Sequence, residues 1–184
     1  MRRTVTALAL AAAVLALAGC AGSATPSATT HTGTTQHATA TPTASPASPA
    51  SAADCDGVFV TVQFGLLGAT DIDACAPATG PITAAAALKE VDVTTAGTQK
   101  YGDQVVCRVN GSPSASTAID VPGHDPYTET CQSMPAAYAY WAVWVKDAGK
   151  WDYAASSITT QQVKPGQTLG LKFTTGTDTT PPQG

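Results

Sequence analysis

Residues 21–53 limit what this chain can fold into, because they cannot form a hydrophobic core. The segment, AGSATPSATTHTGTTQHATATPTASPASPASAA, consists almost entirely of Ala, Thr, Ser and Pro and contains no Asp, Glu, Lys, Arg or large apolar residue. Such a composition buries too little apolar surface to offset the entropy of ordering the backbone. We therefore predict a disordered linker over residues 20–53, which would span roughly 30 Å as a coil and about 100 Å as polyproline II.

The N-terminal segment, MRRTVTALALAAAVLALAGC, has the organisation of a secretion signal. Arg2 and Arg3 precede a short apolar run, and such a segment is removed rather than folded. The letters LAGC at its end resemble the lipobox of bacterial lipoproteins, which implies cleavage after Gly19 and lipidation of Cys20. Several acyl chains anchor a protein stably, because each buried CH₂ contributes about 0.8 kcal/mol. We predict a signal peptide over residues 1–19 and an extracytoplasmic protein anchored to the cell membrane.

One folded domain is predicted between the linker and a polar C-terminus. Residues 54–173 supply a chain length within the usual range for a single domain. The last residues, 174–184, read TTGTDTTPPQG and contain no apolar residue apart from proline. Chain ends of this kind are commonly poorly ordered, so we predict a disordered tail.

The charge of the chain argues against nucleic acid as a partner. The full sequence has a formal net charge of −4, which becomes −6 once Arg2 and Arg3 leave with the signal peptide. The remaining Lys and Arg residues are scattered and form no run. A nucleic-acid-binding domain is expected to carry a basic patch. The sequence favours a small soluble ligand or an envelope protein as the partner.

The four cysteines of the domain predict two disulfides, because their number is even and the domain is extracytoplasmic. Cys55, Cys75, Cys107 and Cys131 allow three pairings in principle. Their spacing favours Cys55–Cys75 and Cys107–Cys131. There is no Cys-x-x-Cys pair and no histidine close to the cysteines, so we expect no metal site.

Alternating apolar residues and a short alanine-rich stretch predict an α+β domain. Residues 58–64, VFVTVQF, alternate with a period of two, which is typical of a strand. Residues 69–75 form a weaker strand after a glycine-bounded turn, and this hairpin would bring the first two cysteines together. Residues 83–90, TAAAALKE, predict a short helix with Thr83 as its N-cap. Many strands with one short helix favour a mostly antiparallel sheet.

Further strands are predicted at residues 91–95, 104–109 and 169–173. The second of these is followed by Asn110-Gly111. This dipeptide suits a type I′ hairpin turn, which requires a positive φ at both central residues.

All three tryptophans of the chain lie within residues 139–153, AYWAVWVKDAGKWDY. Successive side chains of a strand point to opposite faces. Trp141 therefore falls on one face with two valines, whereas Tyr140 and Trp144 fall on the other. The first set is typical of a core, and the second is expected to be partly exposed to solvent.

Four aromatic residues define the candidate ligand-binding surface. If the chain returns antiparallel after the turn, Trp151 and Tyr153 lie beside Tyr140 and Trp144. Tyr and Trp combine a large apolar body with a polar tip, which suits a flat ligand or a partner surface. The competing interpretation is a second small core beneath the loop of residues 112–127.

Five stretches, VTVQFG, CRVNGSP, MPAAYAYWAVW, GKWDYAASSI and KPGQTLGLKF, occur in an order and spacing that resemble a known domain. It is the domain shared by actinobacterial surface lipoproteins and the C-terminal domain of transcobalamin and intrinsic factor. The resemblance spans most of residues 57–173, and the Tyr-Trp pair followed by Gly, Trp-x-Tyr and Pro-Gly is its most specific part. It implies a β-grasp-like sheet wrapped on the helix and a role in binding cobalamin or another soluble ligand.

No motif of the domain predicts catalysis. The sequence has no Gly-x-Ser-x-Gly nucleophile motif and no phosphate-binding glycine-rich loop. His124, in VPGHDPY, could act as a base beside Asp125 in a hydrolase, although a loop histidine of this kind is more commonly a turn residue. We predict a non-catalytic domain that captures a small ligand or presents it to a transporter, with no cofactor beyond a cobalamin-type ligand. The alternative is a non-catalytic module that docks on another envelope protein.

Overall fold

The structure, a computed structural model, describes residues 51–183. The predicted signal peptide, the lipidated Cys20 and the predicted linker before residue 51 lie outside the described residues. The end of that linker leads into a 3₁₀ turn at Ala52–Asp54. Within residues 51–183, no helix is long and apolar enough to cross a membrane.

Strands dominate the described part of the chain and one short α-helix accompanies them, which confirms the predicted α+β class. In chain order the elements are β1 (Gly57–Gln63), β2 (Ile72–Pro77), β3 (Ile82–Thr83), α1 (Ala84–Glu90), β4 (Thr95–Thr98), β5 (Gly102–Val109), β6 (Ala139–Asp147), β7 (Lys150–Tyr153), β8 (Gln162–Val163) and β9 (Thr168–Thr175).

Five strands form a central sheet in the order β2-β1-β9-β6-β7. Neighbouring strands are antiparallel except for β1 and β9, which run parallel at the middle of the sheet. β3 pairs with β8, and β4 pairs with β5, in two separate two-stranded sheets. The sheet is therefore mixed, because the last strand of the chain inserts between the first strand and β6.

The central sheet has two faces of different chemistry, because successive side chains alternate along each strand. The face that packs against α1, which we call the core face, carries Val58, Val60, Val62, Trp141, Leu169, Leu171 and Phe173. The opposite face, which we call the outer face, carries Phe59, Thr61, Gln63, Tyr140, Trp144, Lys146, Trp151, Tyr153, Gly170 and Lys172.

The helix α1 begins where the sequence predicts. The hydroxyl of Thr83 accepts a hydrogen bond from the Ala86 amide at 3.1 Å, as an N-cap residue does. So short a helix is not stable by itself. Its stability comes from packing on the core face, where Ala84, Ala87 and Leu88 are buried.

Both predicted disulfides are present, Cys55–Cys75 and Cys107–Cys131, with Cα–Cα distances of 5.4 and 5.7 Å. The first closes the predicted hairpin of β1 and β2, in which Phe59 lies opposite Cys75. The cysteine spacing and the strand alternation were sufficient to select this pairing from the three alternatives.

The Asn110-Gly111 turn has the backbone that its sequence predicts. Asn110 and Gly111 have φ values of 47° and 75°, so both lie in the left-handed region that a type I′ turn requires. The amide of Val109 donates to the carbonyl oxygen of Ser112 at 2.8 Å, which closes the turn.

The predicted strand at residues 91–95 is wrong, and β4 lies further along the chain. The C-terminal turn of α1 uses these residues instead, because the Val93 amide donates to the Leu88 carbonyl oxygen at 2.9 Å. The side-chain oxygen of Asn110 then accepts from the Thr94 amide at 2.8 Å. One local hydrogen bond and one from the Asn110 turn therefore delay the start of the strand.

The C-terminal residues differ from the expected disordered tail. β9 continues to Thr175, and the residues after it fold back over the outer face. Lys172 pairs with Asp178 at 2.8 Å, and the side chain of Gln63 hydrogen-bonds with the backbone of Gln183. A polar segment is ordered in this way because its partners come from distant strands, which its own composition does not reveal.

Candidate functional site

A cavity lies beside β6, where this strand is paired on one side only. β9 pairs with residues 139–146 of β6, whereas β7 pairs with it only from Trp144 onward. The last link on the β7 side is the hydrogen bond from the Ala154 amide to the Val143 carbonyl oxygen, at 2.9 Å. Beyond that bond, no strand of the described chain covers this edge of β6. The diverging chain leaves the space that the cavity occupies.

The cavity has a volume of about 630 Å³. Its lining comes from four segments of the chain: Gln104, Val105, Val106; Met134, Pro135, Ala136, Ala137; Tyr140, Trp141, Ala142, Val143; and Tyr153, Ala154, Ser156, Ser157, Ile158. None of these residues is an Asp, Glu, Lys or Arg. The site is therefore neutral and largely apolar, with a few hydroxyl and amide groups.

One wall of the cavity is attached to another by a disulfide. Cys107 follows Val106 on β5, and Cys131 precedes the loop that begins the second lining segment at Met134. The carbonyl oxygen of Cys131 also accepts a hydrogen bond from the Gln99 amide at 2.7 Å. The disulfide therefore ties the β5 wall to the loop that leads into the second lining segment.

A second wall is held by one glutamine side chain. Gln161 Oε1 accepts hydrogen bonds from the amides of Ala155 and Ser156, at 3.0 and 3.3 Å. The same turn is tied to the start of α1, because the Ala85 amide donates to the Ile158 carbonyl oxygen at 2.9 Å. The segment that diverges from the sheet is therefore fixed rather than loose.

Two of the predicted ligand-binding residues, Tyr140 and Tyr153, line the cavity. Tyr153 is 48% exposed. Burial of part of its ring raises the pKa of Tyr153, and its hydrogen bond with Tyr140 raises it further. The two phenols therefore lie together at the cavity, where they supply hydroxyl groups to an otherwise apolar surface.

Trp144 supports Tyr153 and does not line the cavity. Its ring is only 5% exposed and stacks on the Tyr153 ring, with a centroid distance of 3.7 Å and an interplanar angle of 25°. Its buried indole nitrogen has no hydrogen-bond partner among the described residues. The Trp144 ring therefore supports the exposed ring of Tyr153 by packing against it.

Trp151 lies on the outer face and does not line the cavity. A Cβ atom placed on Gly170 would lie 2.9 Å from two ring atoms of Trp151, so the indole covers that glycine. Lys146 Nζ lies 5.6 Å from the centroid of the same ring. All four predicted residues therefore lie on the outer face, as the antiparallel return predicts, but in different roles: Tyr140 and Tyr153 line the cavity, Trp144 stacks on Tyr153, and Trp151 covers Gly170.

Trp141 connects the cavity with the hydrophobic core. Its ring meets Phe64 and Phe173 edge-on, with centroid distances of 5.2 and 5.5 Å. Its indole nitrogen donates to the carbonyl oxygen of Ser112 at 3.0 Å. A packed and hydrogen-bonded ring of this kind gives the cavity a rigid floor.

The competing interpretation, a small core beneath residues 112–127, has a counterpart in the structure. Ile119 and Val121 are buried, and Tyr127 and Tyr138 pack against the same cluster. These residues belong to the main core, against which Tyr138, directly before the aromatic stretch, also packs. The loop is thus packed down beside the cavity and does not cover its tyrosines.

A buried carboxylate fixes the end of that loop. Glu129 accepts hydrogen bonds from the Tyr127 hydroxyl at 2.5 Å and from the Cys131 amide at 2.6 Å. Burial and this hydrogen bond raise the pKa of Tyr127 to about 12. Glu129 also lies within 4.8 Å of the sulfurs of Cys107 and Cys131. Those sulfurs are joined in a disulfide, so they are not thiolate ligands.

His124 lies against an aromatic ring rather than beside an acid. Its imidazole stacks on Tyr138 with a centroid distance of 3.8 Å and an interplanar angle of 10°. Among the described residues, its ring makes no hydrogen bond to a carboxylate. A general base needs a partner that orients it, so this arrangement gives the hydrolase hypothesis no support.

The loop before β6 contributes residues that the sequence did not single out. Met134 is 60% exposed and lines the cavity with the three residues that follow it. The apolar run MPAA, three residues after the last cysteine, is the signal for this wall. The contribution of Val105 and Val106 gives no such signal, because it depends on how β5 lies against the distant loop.

Comparison of the chain with protein families, with curated proteins and with solved structures gives no match in any of the three. The resemblance to transcobalamin-like domains therefore stays a prediction, and the geometry of the cavity carries the functional argument.

Proposed function

We propose that this protein is a membrane-anchored extracytoplasmic lipoprotein whose domain binds an uncharged, largely apolar small ligand without catalysing a reaction. The observation that carries the proposal is the neutral cavity of about 630 Å³ beside β6. Small-molecule sites are typically apolar clefts of roughly 300–1,000 Å³ with a few polar groups that orient the ligand. The cavity has this size and this chemistry.

The orienting groups in this proposal are the two tyrosine hydroxyls. Tyr140 and Tyr153 present them at the cavity, and Trp144 holds the ring of Tyr153 in place by stacking. A planar or ring-bearing ligand would pack against the tyrosines and Trp141 and hydrogen-bond to their hydroxyls. Cobalamin, the specific candidate that the family resemblance adds, is larger and more polar than the ligand that this cavity favours, so it would place only part of its structure there.

The proposal includes a β-grasp-like arrangement. Its support is a mixed sheet with parallel first and last strands, crossed on its core face by one helix. It also includes an N-terminal lipid at Cys20, for which the support is the signal-like sequence before it.

Native mass spectrometry of the mature chain tests this function. The chain is exposed to a concentrated extract of growth medium and cells, with added cobalamins as a parallel sample. We expect a discrete adduct that is lost in Ala137→Trp, because an indole at this exposed lining residue fills the cavity, and weakened in Tyr140→Ala. The matched control is Tyr101→Ala, which removes an exposed tyrosine that does not line the cavity.

Absence of an adduct in both samples would contradict small-ligand binding. In that case, cross-linking on cells distinguishes the alternative. Stable recovery of one envelope protein, lost in the same Ala137→Trp variant, would identify the domain as a protein-docking module.

A further inference from the structure

The outer face of the sheet is occupied by the chain's own C-terminus. Residues 176–183, which we call the tail segment, turn back after β9 at Gly176, whose φ is 62°. The Gly176 amide donates to the Tyr138 carbonyl oxygen at 2.8 Å and fixes this turn. After the turn, the tail segment contacts side chains of β1 and β9 without pairing as a strand.

A proline of the tail segment fits a slot that exists because residue 170 is glycine. A Cβ atom at this position would lie 2.7 Å from Cγ of Pro182 and 2.9 Å from the ring of Trp151. Pro182 is buried there. A proline ring held beside an aromatic side chain is how proteins recognise polyproline-type segments.

A glutamine side chain recognises the backbone next to this proline. Gln63 Nε2 donates to the Gln183 carbonyl oxygen, and Gln63 Oε1 accepts from the Gln183 amide, both at 3.1 Å. The amide group thus offers a donor and an acceptor side by side, as a neighbouring strand would. Both contacts are made to backbone atoms, so they do not depend on the identity of the side chain at residue 183.

A lysine recognises the charge at the other end of the tail segment. The Lys172 side chain is 16% exposed, and its ammonium group pairs with the Asp178 carboxylate at 2.8 Å. It also donates to the hydroxyl of Thr180 at 2.7 Å. A mostly buried ammonium group is costly unless it is paired, so this position favours an acidic partner.

We propose that the outer face is a docking site for an extended peptide that carries an acidic residue four positions before a proline, and that the tail segment occupies it in the free chain. A partner segment of this chemistry would pair with Lys172, hydrogen-bond with Gln63 and place its proline over Gly170. It would displace the tail segment without disturbing β9, because no strand ladder joins the tail segment to the sheet. The site adjoins the cavity beside β6 but uses different residues, since neither Gln63, Gly170 nor Lys172 lines that cavity.

The test removes the tail segment and returns it as a peptide. The mature chain is shortened by deleting residues 177–184, and the peptide GTDTTPPQG is titrated while tryptophan fluorescence is recorded, since Trp151 lies at the site. We expect saturable binding to the shortened chain, and binding to the intact chain weaker by about tenfold or more, because the resident tail competes. Peptides with Pro182→Ala or Asp178→Asn should also bind about tenfold more weakly. The control peptide Thr179→Ala, changed at an exposed position, should bind like the parent.

Three results would overturn the proposal. One is the absence of saturable binding to a shortened chain whose near-UV circular dichroism is native. Another is equal affinity for the intact and the shortened chains, which would place the peptide elsewhere. The third is unchanged affinity after Gly170→Ala in the shortened chain. If the deletion prevents folding, the full-length Asp178→Asn, Pro182→Ser variant replaces it, because it unseats the tail without shortening the chain.

Discussion

The two faces of the central sheet are covered by different kinds of segment. The core face is sealed by α1 and by aliphatic and aromatic side chains from β1, β6 and β9. The outer face is covered by a polar C-terminal segment that uses one proline, one ion pair and one amide. The helix α1 and the core side chains cannot leave the core face without unfolding the domain. The C-terminal segment, in contrast, can leave the outer face while the domain stays folded. Stability is therefore expected to reside on one face and exchangeable contacts on the other.

The largest effect is expected from a deletion on the core face. Leu171 is fully buried, so Leu171→Ala should lower the free energy of unfolding by about 2–5 kcal/mol. Denaturant unfolding of the purified domain measures this loss. Leu66→Ala makes the same change at an exposed residue and should cost about 0.5 kcal/mol or less. Similar losses in both variants would contradict the proposed role of the core face.

The second-largest effect is expected from removing either disulfide. Replacing Cys107 and Cys131 by serine opens a loop with a sequence separation of 24 and should cost about 3 kcal/mol. Replacing Cys55 and Cys75 should destabilise the domain by a similar amount. We expect only the first pair of changes to weaken ligand binding, because only that disulfide joins two walls of the cavity. Equal effects on binding would contradict this division.

A single methyl group on the outer face should release the tail segment. Gly170→Ala collides with Pro182 and with Trp151, so it should cost about 1–3 kcal/mol and expose the tail to proteolysis. The control is Gly80→Ala, where an added methyl group has nothing within 4 Å. A tail that remains as protected in Gly170→Ala as in the parent chain would show that the slot does not hold it.

Alkaline pH should destabilise the folded domain through Tyr127, whose side chain packs against the core. The pKa of Tyr127 is raised to about 12 by burial and by Glu129, whereas an unfolded tyrosine has a pKa of about 10. The unfolded state therefore loses its proton first, and the free energy of unfolding should fall as pH rises from about 10 to about 12. Tyr127→Phe should lack this part of the decline. An identical pH dependence in both proteins would exclude Tyr127 as its source.

Low pH should weaken the attachment of the tail segment, and this effect should be smaller than those described above. The hydrogen bond and charge of Lys172 hold the pKa of Asp178 well below its usual range. The stabilisation is therefore present above the unfolded pKa of about 4 and is lost progressively as pH falls below it. Partial exposure of Asp178 keeps the effect small. Proteolysis of the tail with an acid-active protease measures it, and Asp178→Asn should remove the dependence below pH 4.

Features set by neighbouring residues could be predicted from the sequence. The N-cap at Thr83, the left-handed turn at Asn110-Gly111 and the antiparallel return of Trp151 beside Lys146 each depend on a few adjacent positions. The disulfides were also predictable, because they close a hairpin or a short loop. These are the cases in which local chemistry has one favourable outcome.

The division of the aromatic residues could not be predicted, because it depends on which strands become neighbours. β9 lies between β1 and β6, and only this register sets Gly170 opposite Trp144 and brings Pro182 over it. The same register places Trp151 under the tail and leaves Tyr140 at the cavity. No pattern within residues 139–153 contains this information, so four similar side chains have three different environments.

The direction of the strands also determines where the cavity lies relative to the residue at which the chain enters the sheet. The described chain enters the central sheet at Gly57, the first residue of β1, and β6 runs opposite to β1, so the cavity at the start of β6 lies near the far end of β1. A strand of this length separates the two ends by roughly 20 Å. The chain therefore enters the central sheet at one end and the cavity lies at the other. An attachment through the N-terminus would leave the cavity uncovered, so an arriving molecule could enter it without displacing the linker.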